Sequence, residues 1–185
     1  MNWADGKCRC RWANPKNERY VRYHDEEWGV PVYDDNKLFE MLILEGFQAG
    51  LSWECVLNKQ PAFEKAFDGF DLDKIYQYGE EKLLELQSNP GIIRNKLKIK
   101  AAVRNAGVFK EIQNEFASFS NYLWGWTEGK VVYENNKTTS ELSDAISADL
   151  KKRGMTFVGS TIIYSYLQAV GVIYSHEKGC YLEKI

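Results

Sequence analysis

The chain has 185 residues with 44% hydrophobic and 14% aromatic content, a formal charge of −2 and a pI near 5.8. That length suits one domain with a core of its own, the acidic balance argues against a generic nucleic-acid binder, and no apolar run approaches the ~20 residues of a membrane span. The N-terminus lacks an apolar signal core, which leads us to expect a cytoplasmic protein, and the four cysteines then read as thiols or metal ligands rather than a disulfide scaffold.

Residues 1–19 read as irregular and charged, and carry Cys8, Cys10 and Trp12. Tyr20 to Gly29 packs three aromatics and His24 into ten residues ahead of Pro31. Asp34 or Asp35 caps a predicted helix from Lys37 to about Ala49, on which Leu38, Met41, Leu42, Glu45 and Ala49 share one face. Glu45 interrupts that apolar face. A carboxylate there is satisfied by a nearby donor, rotated into water, or set at the bottom of a pocket that receives donors or positive charge. Gly46 and Gly50 allow another backbone or a flat ligand to come close, and Trp53 ends the stretch with a large aromatic surface.

Two further helices are predicted at Ser52–Asn58 and Pro61–Phe67, then one at Gly79–Gln87, closed by Asn89-Pro90-Gly91. Ile92 to Phe116 has an apolar stripe, Ala117 to Trp126 is aromatic, and Gly129–Thr139 reads as a polar loop with a short hairpin. Ser140 starts a helix that ends at Gly154, and Ser160 or Thr161 caps an apolar helix running to Gly171. With little strand signal and no repeat or linker, the reading is all-α, with residues 1–185 forming a single domain.

Three patterns carry chemistry. His24 follows Cys10 by fourteen residues and His176 precedes Cys180 by four, so two Cys and two His match a tetrahedral zinc site that would clip the ends of the chain together. On spacing alone, Cys8 and Cys10 are equal candidates. Lys151 to Thr161 reads as helix, Gly154, tight turn, Gly159, helix, which would present free amides to a phosphate beside a small basic cluster; Asn89 to Arg94 is a competing hairpin. Gly91 to Lys110 holds six basic and no acidic residues, a pattern usually belonging to a solvated helix face.

The blocks YHDEEWGVP (Tyr23–Pro31), LFEMLILEGFQAGLSW (Leu38–Trp53), GIIRNKLKI (Gly91–Ile99) and KKRGMTFVGSTIIYSYLQAVG (Lys151–Gly171), followed by His176-x-x-x-Cys180, resemble the DNA-3-methyladenine glycosylase I family in order and over nearly the whole chain. The resemblance implies a helix-hairpin-helix glycosylase fold, with the hairpin at about 141–171 and a structural zinc joining segments at about 8–24 and 176–180. Cys10-x-Trp12 matches the family's N-terminal Cys-x-Trp, so Cys10, His24, His176 and Cys180 become the expected ligands, although the Cys10–His24 spacing is one residue longer than is usual in the family. Glu45 falls on the family's base-contacting glutamate, here assigned the catalytic role. Tyr23 and Trp53 fall on its pocket aromatics, Trp12 and Tyr20 lie near that pocket, and Trp28 is a further candidate for its lining.

The implied activity is hydrolysis of the N-glycosidic bond of 3-methyladenine in alkylated double-stranded DNA, giving the free base and an abasic site, by a monomer. The expected DNA-binding residues are Lys152, Gly154, Gly159, Ser160 and Thr161 in the hairpin, with Gly50 and Leu51 at the wedge. One departure from the wider superfamily is the lack of any Asp beyond Asp149; Glu177 is read as surface. A non-catalytic module that binds alkylated DNA would use the same residues.

Overall fold

Helix α2, Asp35–Gln48, is buried nearly all round rather than along one stripe, and several of the later helices pack about it in the computed structural model, which describes Trp3 and residues 5–184. Residues 1, 2, 4 and 185, at the ends of the expected single domain, lie outside the described residues. Asp34 caps α2 by accepting from the Lys37 amide at 2.8 Å. Asp35, inside the first turn, accepts from the amides of Phe119 and Ser120, which ties a later helix to this end. No basic residue occupies the last turn of α2.

Before α2 come a short helix α1, Glu18–Arg22, capped by Asn17, and a π-helical turn, Tyr23–Glu27. Such turns widen the helix by one residue and are common at functional sites; here the turn carries both Tyr23 and His24. After α2, Ser52 caps α3, Trp53–Ala66. The two helices expected on either side of Pro61 are therefore one. Pro61 forgoes its own bond to the turn behind it, a cost of about 3 kcal/mol, but Val56, Leu57 and Phe63 keep one buried face continuous across it.

Helices α4, Leu72–Tyr76, and α5, Glu80–Ser88, lead through the Asn89–Arg94 turn to α6, Lys96–Phe116, capped by Asn95 rather than beginning at Ile92. Helix α7, Phe119–Gly125, follows, then β1, Val132–Tyr133. Helix α8, Glu141–Arg153, opens on a Ser140–Ser143 capping box and closes on Gly154 at φ 107. Helix α9, Ser160–Ala169, begins with Gly159 as its cap, so neither Ser160 nor Thr161 serves as expected. The hairpin expected at 129–139 is absent among the described residues. Instead β1 pairs in parallel with β2, Ile173–Tyr174, because the apolar strand after α9 offers the better ladder partner. Two strands of two residues leave the molecule all-α in character.

Candidate functional site

A pocket of ≈190 Å³ opens between α2, the start of α3, α9 and the N-terminal segment, lined by Trp12, Tyr20, Tyr23, Trp28, Glu45 and Trp53. All six were expected there from the sequence. Gln48, Ser165 and Gln168 complete the lining and were not foreseen. Its volume is below the ~300–1,000 Å³ of drug-sized sites, so the occupant it suits is a single small ring system.

Glu45 is 3% exposed. Its carboxyl is pushed up to about 8, with burial as the sole cause; among the described residues no charge or hydrogen bond offsets it. Of the three readings the sequence left open, the satisfied and the solvated carboxylate are thereby removed. Tyr23 and Trp53 touch one another in the pocket wall, with ring centroids 5.4 Å apart and planes tilted by 44°. The Trp53 indole N–H is buried without a partner among the described residues.

Behind the aromatics lie Cys10, His24, His176 and Cys180, all buried, with their donor atoms within 4.8 Å of one another. Cys8 is exposed and outside the cluster. The Sγ of Cys10 is 3.5 Å from His176 Nδ1, and that of Cys180 is 3.5 Å from His24 Nε2. Ligands about 2.1 and 2.3 Å from a tetrahedral zinc lie about 3.5 Å apart, so the donor set has the spacing of that ion. Burial lowers both imidazoles, keeping them in the neutral form that ligates. The Glu177 amide donates to Cys10 Sγ at 3.2 Å, the kind of contact that supports a thiolate.

A carboxylate stands behind the cluster. Asp25 Oδ1 is 2.8 Å from His24 Nδ1, and Arg9 donates to both Asp25 oxygens at 2.8 and 2.6 Å. Neither residue was foreseen, although Asp25 adjoins His24 in the sequence. Trp12 lies 5.1 Å from His24 and 4.9 Å from Trp28, and Trp28 lies 4.8 Å from His176, so cluster and pocket share a wall. Glu177 accepts from the Arg11 amide, consistent with a surface role.

The remaining expected residues sit away from the pocket lining. Gly50 and Leu51 project at the exposed turn between α2 and α3, with Leu51 41% exposed, which rules out a core leucine. Lys152 and Thr161 are exposed on the α8–α9 hairpin with Gly154 and Gly159 in its turn. The Ser160 hydroxyl bonds to Asp144 and to Ser143 Oγ, leaving its backbone for outside contacts. The basic run on α6 departs from expectation, since Lys98 is buried rather than part of a solvated face.

A helical frame around a small aromatic pocket with one buried, unneutralised carboxylate defines a protein that holds a flat, donor-bearing or cationic ring. A protein-family model of methyladenine glycosylase matches residues 12–183. DNA-3-methyladenine glycosylase 1 of Escherichia coli K12 is 41% identical over 178 residues, covering 93% of this chain and 95% of the relative. A crystal structure of 3-methyladenine DNA glycosylase I superposes with a TM-score of 0.91 at 40% identity, covering 96% of this chain and all of that one (100%). The Staphylococcus aureus 3-methyladenine DNA glycosylase I, solved to define 3-methyladenine recognition, gives 0.90 at 33% identity over 96% of this chain and 97% of that one. The chain belongs to the methyladenine glycosylase family.

Proposed function

We propose that the chain is a monofunctional DNA-3-methyladenine glycosylase of base excision repair, acting as a monomer and a single domain on alkylated double-stranded DNA. The observation that carries the reading is Glu45, buried and unneutralised in a pocket sized for one base. N3-methyladenine in DNA is cationic, so its glycosidic bond is already weakened and the leaving base needs no added proton. The nucleotide has only to be drawn from the stack and held. Entry of the cationic ring releases to solvent the proton that burial keeps on Glu45 in the empty pocket, and the carboxylate then accepts hydrogen bonds from the adenine edge and offsets the positive charge, which neutral adenine lacks. Tyr23 and Trp53, side by side in the wall, offer aromatic surface to the cationic ring, worth about 1–2 kcal/mol once desolvated. Trp12, Tyr20 and Trp28 exclude water around it. Water adds to the sugar C1′ as the C1′–N9 bond breaks, the base departs neutral as free 3-methyladenine, and the water's surplus proton goes to solvent.

Outside the pocket, Leu51 on its Gly50 turn wedges into the gap left by the flipped nucleotide. The α8–α9 hairpin acts as a helix-hairpin-helix: Gly154, Gly159 and the Ser160 and Thr161 amides meet a phosphate at the start of α9, with Lys152 adding charge. Cys10, His24, His176 and Cys180 hold a structural zinc, which supplies rigidity to the wall carrying Trp12 and Tyr23 and takes no part in the chemistry. Incubation with methylated duplex DNA, followed by chromatography of the released bases, tests the proposal. Release of 3-methyladenine is expected; tight binding of methylated DNA with no free base would make the chain a binding module instead.

A further inference from the structure

Lys98, on α6, is buried and lies outside the pocket lining. Its ammonium donates to the carbonyls of Phe47 at 2.8 Å and Ala49 at 2.6 Å, at the open carbonyl end of α2. A cation there satisfies carbonyls that have no helical partner and faces the negative end of the helix dipole, a role that no residue in the last turn of α2 fills. The chain then enters the exposed turn directly. The Leu51 amide donates to the Gln48 carbonyl and Gln48 Nε2 donates to the Leu51 carbonyl, both at 2.7 Å. Lys98 therefore grips the last fixed carbonyls before Gly50 and Leu51.

The same helix grips the hairpin. Asn105 pairs with both the amide and the carbonyl of Thr156, each at 2.9 Å, and Arg104 Nε donates to the Gly154 carbonyl at 2.5 Å. Phe157 fills the space between, with its Cβ 3.6 Å from where a Cβ on Gly46 would stand, and its ring 5.9 Å from the Lys98 ammonium. One rigid helix thus holds both the wedge turn and the phosphate-binding hairpin. We infer that Lys98 is a positioning residue: by clamping the end of α2 it sets Leu51 in register with the hairpin, so that wedge and anchor reach the duplex together. The inference rests on the proposed entry of Leu51 into DNA. Lys98 is only 7% exposed and its ammonium is already engaged by carbonyls, so it does not act as a phosphate contact itself.

The test uses wild type, Lys98→Met, Leu51→Ala and the double variant. Each is titrated, across a range of salt concentrations, with a duplex containing a tetrahydrofuran abasic analogue, and separately with free 3-methyladenine by tryptophan fluorescence. Lys98→Met is expected to weaken abasic-duplex binding at least tenfold, to leave free-base affinity within twofold, and to leave the salt slope unchanged. In the Leu51→Ala background it should cost less than a further twofold, because the two residues act through one contact. Four results overturn the inference: unchanged duplex affinity in Lys98→Met, fully additive losses, a parallel fall in free-base affinity, or a salt slope reduced by about one, as a direct phosphate contact would give. An inert Leu51→Ala would instead remove the wedge reading, and this inference with it. Lys98→Gln, which keeps a donor for one carbonyl, replaces Lys98→Met if that variant does not fold, with the same split expected.

Discussion

Glu45 lowers the stability of the empty protein as the pH rises, and the sign follows from its environment. Its carboxyl is pushed up to about 8 in the fold against an ordinary value of 4.5. Between those values the folded state keeps a proton that the unfolded chain has lost, so stability falls from about pH 4.5 to about pH 8 and is level beyond. Glu45→Gln keeps the shape without the ionisation. Its thermal stability should match wild type near pH 4.5, pull ahead steadily to about pH 8 by on the order of a few kcal/mol, and run parallel above. Taking the difference between the two proteins cancels every other titrating group. A gap that stays constant with pH would mean that Glu45 ionises normally in the fold. The same variant should lose at least tenfold in 3-methyladenine affinity, so stability is given up here for recognition. The position of Glu45 among apolar residues was legible from helical period alone, while its lack of any partner was not, because partners come from other elements. Gln48, Ser165 and Gln168 had no local signal at all: ordinary polar residues on amphipathic helices become pocket lining only when α2 and α9 are brought together.

At the scale of elements, local chemistry was legible where it is decided locally. Asp34 at the start of α2, Ser140 at the start of α8 and Gly154 at its end are caps whose residue types fix their conformations. The failures lie where packing overrules a local preference: Pro61 within α3, and β1 pairing across the molecule with β2 rather than with its neighbours. The turn after α9 shows how tight such packing becomes. Gly171 sits at φ 73, and a Cβ there would stand 2.4 Å from the backbone of Val30 and Pro31. The Gly29 and Val32 amides donate to the carbonyls of Gln168 and Val170, both at 3.0 Å, so this contact also anchors the chain leaving the turn that bears Tyr23 and His24. Gly171→Ala combines a left-handed conformation with a collision against main chain and should cost at least about 3 kcal/mol in urea unfolding. A loss below 1 kcal/mol would show that the 29–32 segment moves aside freely.

Over the whole molecule, the acidic net charge conceals a surface with local basic character, which is why composition alone pointed away from DNA while motif order pointed toward it. The arrangement of the ends was legible in the Cys and His spacing; spacing left Cys8 and Cys10 equal, the Cys10-x-Trp12 resemblance favoured Cys10, and Cys10 is the one in the cluster. Cys10 and His176 stand 166 residues apart in sequence and 3.5 Å apart in the fold. A zinc held there ties together segments nearly a whole chain apart, and because it binds the folded donor set and not the unfolded chain, its binding energy adds to stability, by about 4 kcal/mol when zinc is at a thousand times its dissociation constant. Purified protein should therefore contain one zinc per chain by elemental analysis. Chelation, or Cys180→Ser, should lower the unfolding temperature by about 10–20 °C, the shift such an energy gives in a domain of this size. Because Trp12 and Trp28 lie against the histidines, metal loss should also change tryptophan emission before global unfolding begins. Stoichiometric zinc that could be removed with no change in melting temperature or emission would show that the ends are held by Arg9, Asp25 and the β1–β2 ladder without it.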